Sequence, residues 1–124
     1  MPRKRGSVLK LQGAELAAWL LNQLTVHSAQ LTLLTIDTLV GPGGSSGNSV
    51  ARGAFEDIVE RCGRSPDAEL KPDQSEIALF SAWAPFSINA VAWRSPYGDP
   101  LFESVDEADP AIWYGLPEVG QNFA

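Results

Sequence analysis

One histidine, His27, one cysteine, Cys62, and a late run of acids, Glu103, Asp106, Glu107 and Asp109, are the side chains most able to do chemistry in this sequence. Carboxylates gathered in this way can hold a divalent cation or share acid and base roles. Their spacing is not that of a calcium-binding loop, and such a run reads more simply as a solvated acidic face or a patch that receives a basic segment. His27 has no second histidine to share a metal with, and Cys62 is distant in sequence, so His27 is expected as a hydrogen-bonded core or interface residue. Cys62 falls on the apolar side of its segment beside Ile58 and Val59. With no adjacent histidine or lysine to lower its pKa, it reads as a small buried hydrophobe.

The segment Gly41 to Ser49 holds four glycines and Pro42 and precedes an expected helix, so it is the natural place to look for an anion cradle. No two of its glycines have the spacing of a phosphate loop, and Asn48 stands where a lysine is needed. Gly43-Gly44-Ser45-Ser46-Gly47 also matches the nucleophile-elbow pattern, yet His27 lies upstream, whereas hydrolases with that elbow place histidine after serine. The segment therefore reads as a flexible connector, with no catalytic set and no cofactor implied.

These residues are positioned by elements of mixed legibility. After a basic arm (1–10), Leu16, Leu20, Leu24, Leu31 and Leu34 recur at helical spacing, with His27 in the stripe and Ala17, Ala18 and Leu21 widening it. One long helix into residues 30–40 is the favoured reading; the β-branched Thr32, Thr35, Ile36, Thr38 and Val40 make a helix followed by a strand its rival. A second helix is expected from Asn48 or Ser49 to Gly63, with Val50, Ala54, Phe55, Ile58, Val59 and Cys62 on one side. Arg64 to Gln74 reads as a polar connection with at most one helical turn. Asp73, three residues before Glu76, forms a capping box for a third helix that stops before Pro85. Ile88 to Trp93 and Leu101 to Val105 predict a hairpin, and Asp109-Pro110 a final helical turn through Tyr114. The expected class is α+β, mainly helical: three helices, the first long, and a small antiparallel hairpin near the C-terminus.

The whole chain of 124 residues, 44% hydrophobic and 19% charged with net charge -6, has the size and composition of a single domain, 1–124. A lone cysteine excludes an intramolecular disulfide framework. Basic residues open the chain at Arg3, Lys4, Arg5 and Lys10, nothing after Arg94 is basic, and the segment 99–124 is acidic. No Asp, Glu, Lys or Arg occurs from Leu16 to Ile36 or from Ile77 to Trp93. The first neutral run is too polar at Asn22, Gln23, His27, Ser28 and Gln30 to span a membrane, and its apolar core is shorter than that of a signal peptide, so a cytoplasmic location, or an assembly made there, is expected.

So much neutral sequence exceeds what one small core hides. The leading expectation is a non-enzymatic interaction or assembly protein acting as a homo-oligomer or as a subunit of a larger complex. Its partners are copies of itself or other protein subunits, and its seam is Leu16, Leu20, Leu24, His27, Leu31 and Leu34. The arm Arg3, Lys4 and Arg5 would meet the acids Glu103, Asp106, Glu107 and Asp109 of a neighbour. A second expectation is a small enzyme or ligand-binding domain with a pocket lined by Trp83, Trp93, Tyr97 and Trp113. A third is a regulator that touches nucleic acid through the basic arm, which the acidic balance disfavours.

Overall fold

The computed structural model describes residues 6–37, 49–62, 67–87, 89–95, 98–105 and 110–115. In chain order they form β1 (Ser7–Val8), α1 (Gly13–Val26), β2 (Leu33–Asp37), α2 (Ser49–Cys62), β3 (Asp67–Leu70), α3 (Gln74–Trp83), β4 (Asn89–Ser95), β5 (Asp99–Val105) and β6 (Ala111–Trp113). The six strands make one antiparallel sheet in the order β1-β6-β5-β4-β2-β3. The first and last strands are thus neighbours, and β2 lies between β3 and β4.

The class is α+β, but the expectation of a mainly helical chain with a small hairpin is wrong. The hairpin of β4 and β5 exists, and it is the middle of a six-stranded sheet. The long first helix is also wrong. α1 ends at Val26; the backbone N–H of His27 bonds to Gln23 O at 3.0 Å, a short 3-10 turn covers Ser28–Gln30, and the chain then extends as β2. Leu34 and Ile36 are buried on one face of β2, opposite Leu70 and Ala68 on one side and Ala92 and Ala90 on the other. Two strand neighbours reward the β-branched residues there, which outweighs the accident that Leu31 and Leu34 continue a helical spacing.

Three strands fall where helix or connection was expected. β3 carries acids at Asp67 and Glu69, so its alternation is reduced to Ala68 and Leu70. Its position at the sheet edge suits a short, charged strand. β6 replaces the expected final helical turn: Ala111 and Trp113 point into the core, and pairing with both β1 and β5 holds the segment extended. β1, inside the basic arm, is held by the same pairing, and a Cβ on Gly6 would clash with the Ile112 and Tyr114 side chains.

One face of the sheet presents Leu34, Ile36, Leu70, Ala90, Ala92, Phe102, Ser104 and Trp113 to the helices. α3 packs against both α1 and α2. Phe80 of α3 meets Phe102 edge-on with ring centroids 6.4 Å apart, and Trp19 of α1 meets Trp113 the same way at 5.1 Å. A bulge opposite Trp93 tucks Leu101 in, since Ala92 pairs with Phe102 and Trp93 with Pro100. α1 opens at Gly13, whose φ of 55 is left-handed and favours glycine.

The third helix starts as expected. Asp73 is its N-cap, and its Oδ1 accepts from the Glu76 N–H at 2.9 Å and from Ser75 Oγ at 3.0 Å. The Glu76 N–H holds the Asp73 carboxyl below its ordinary value, helped by the Ser75 hydroxyl. A depressed native pKa contributes stability that is fully present above the unfolded carboxylate range and is lost as pH falls through the native value. Asp73→Ala is therefore expected to lower the melting temperature at neutral pH, and the gap between the two proteins to close below the ordinary carboxylate range. Thermal melts of both across acidic pH check this.

Candidate functional site

Each expected site residue has a definite place or lies outside the described residues. Leu16, Leu20 and Leu24 of α1 are fully buried in the chain's own core; Leu34 is fully buried on β2, and Leu31 is buried just before it. None of the five leucines offers surface to a neighbour. All five belong to this molecule's own core cluster, the first three from α1 and Leu34 from the strand that replaces the expected continuation of the helix. Gln23 is buried beside them.

His27 sits at the C-terminal end of α1, its ring 5.6 Å from Trp113. Gln30 Nε2 lies 3.1 Å from His27 Nδ1, so the amide donates and Nδ1 accepts. His27 Nε2 and Trp113 Nε1 are both buried without a hydrogen-bond partner. Cys62 is half-buried at the end of α2, where its Sγ donates to Glu69 O at 3.8 Å. Burial pushes its thiol pKa up, which is the opposite of what a nucleophile needs.

The three described members of the expected aromatic pocket do not meet in one place. Trp83 packs with Phe55 and Phe86 between the helices, with centroids 4.8 and 6.3 Å away. Trp113 packs with Trp19 and His27 under α1. Trp93 lies across the sheet, where its Nε1 donates to Thr35 Oγ1 at 2.9 Å. Tyr97 is outside the described residues. The shallow open depression on α2 lined by Asp57, Glu60 and Arg61 has the mixed charge of solvated surface.

Of the expected electrostatic partners, Arg3, Lys4, Arg5, Asp106, Glu107 and Asp109 are outside the described residues. Glu103 is half-buried on the sheet face away from the helices and accepts from Tyr114 Oη at 2.6 Å. Arg94 and Asp99 form an ion pair at 3.0 Å at the turn end of the β4–β5 hairpin, and Arg94 Nη2 also donates to Pro100 O. No three His, Cys, Asp or Glu side chains among the described residues are grouped to hold a metal ion. No described helix is long and apolar enough to cross a membrane.

What sequence reasoning missed is the other side of α1. Ala14, Ala18, Leu21 and Thr25 follow a four-three-four spacing, which places them on one line beside the exposed Asn22 and Glu15 and away from the buried Leu16, Leu20 and Leu24. All four are exposed, and so is Val26, on the other side of Asn22. Leu21 is 40% and Val26 60% exposed, two of the four large hydrophobics this open to solvent among the described residues. Glu15 is the helix's one charged residue, and no basic residue occupies its last turn. The signal was present in the sequence as a helix apolar nearly all the way round. It read as a widened buried stripe because nothing in one sequence says which side the sheet takes.

Comparison with family models, with curated proteins and with solved structures finds no match to this chain.

Proposed function

We propose that this protein is a non-enzymatic interaction module that works as part of an assembly, docking through the outward face of α1. One observation carries the reading: the neutral run from Leu16 to Ile36 has more uncharged surface than the core uses, and the surplus is on Ala18, Leu21, Thr25 and Val26. An ordinary surface helix puts charged residues on the side away from its core. Beyond Glu15, α1 puts alanine, asparagine, leucine, threonine and valine there. Scattered exposed hydrophobics need no explanation, but a continuous neutral line along one helix is the form of a helix-packing surface.

The expected leucine seam is replaced in this reading by the line Ala14, Ala18, Leu21 and Thr25. The pocket reading has no comparable support, since Trp83, Trp93 and Trp113 occupy separate environments.

Leu21→Asp tests the module. The residue is exposed, so the variant is expected to keep the wild-type circular dichroism spectrum and melting temperature. Binding to a purified partner first identified from the native source, or to a second copy, is expected to weaken at least about tenfold, because the contact would bury an unpaired charge. Equal footprinting of Leu21 and Val26 in concentrated native extract and in dilute solution would remove the proposal.

A further inference from the structure

We draw no further inference here: the strongest candidate, the sheet face turned away from the helices, where the half-buried Glu103 stands among Val91, Trp93, Ile112 and Tyr114, carries nothing because nothing among the described residues shows what covers it.

Discussion

Leu20→Ala is expected to destabilise the protein by about 2–5 kcal/mol, whereas Leu21→Ala, one residue along the same helix, is expected to change stability by no more than about 0.5 kcal/mol. The two side chains are chemically identical and differ only in which way α1 turns them. Leu20 is fully enclosed in the core cluster, so truncation leaves a cavity lined by atoms that lose their contacts. Leu21 stands 40% exposed and loses little on truncation in the isolated chain. Urea denaturation of both variants, with unchanged slopes, measures the difference. A large loss at Leu21 in dilute solution would show that this side of α1 is core, and the docking proposal would have no surface to stand on.

The second large effect is expected at Trp113. Its ring is 1% exposed, packs edge-on against Trp19 and lies beside His27 and opposite Phe102 in the sheet. Through these contacts one side chain joins α1 to β6, and β6 in turn holds β1 and β5. Trp113→Ala is expected to cost about 3–5 kcal/mol. For a domain of this size that is a large part of the whole stability, about 5–15 kcal/mol. Trp113→Phe is expected to recover part of the loss: it restores an aromatic ring and removes an indole N–H that is buried without a partner. Denaturant melts followed by circular dichroism check the series, with native-state hydrogen exchange showing whether β1 and β6 open first.

These expectations depend on features with different visibility in the sequence. The Asp73 cap and the helix after it follow from local chemistry, because a carboxylate that accepts the N–H three residues on needs nothing from the rest of the chain. The face of α2 that buries Ala54 and Ile58 and the β4–β5 hairpin are visible for the same reason: their periodicities are complete within each segment.

β1, β3 and β6 have no such local sign. Each is short, and each is extended because a strand distant in sequence pairs with it: β1 and β6 with one another through Ser7 and Trp113, β3 with β2 through Ala68 and Ile36. The segment after His27 shows the same competition at closer range. Leucines at helical spacing and β-branched residues at strand spacing coexist there, and only the neighbours β3 and β4 make the strand the better solution.

By itself, the amino-acid order determined that α1 would carry no charge beyond Glu15. Which half of α1 meets the sheet was decided only in three dimensions. The leucine side, with more apolar area to remove from water, took the interior, and Ala14, Ala18, Leu21 and Thr25 were left to solvent. Burial is a property of the assembled layers, and a single strand of letters carries the area of each side chain without saying what will cover it.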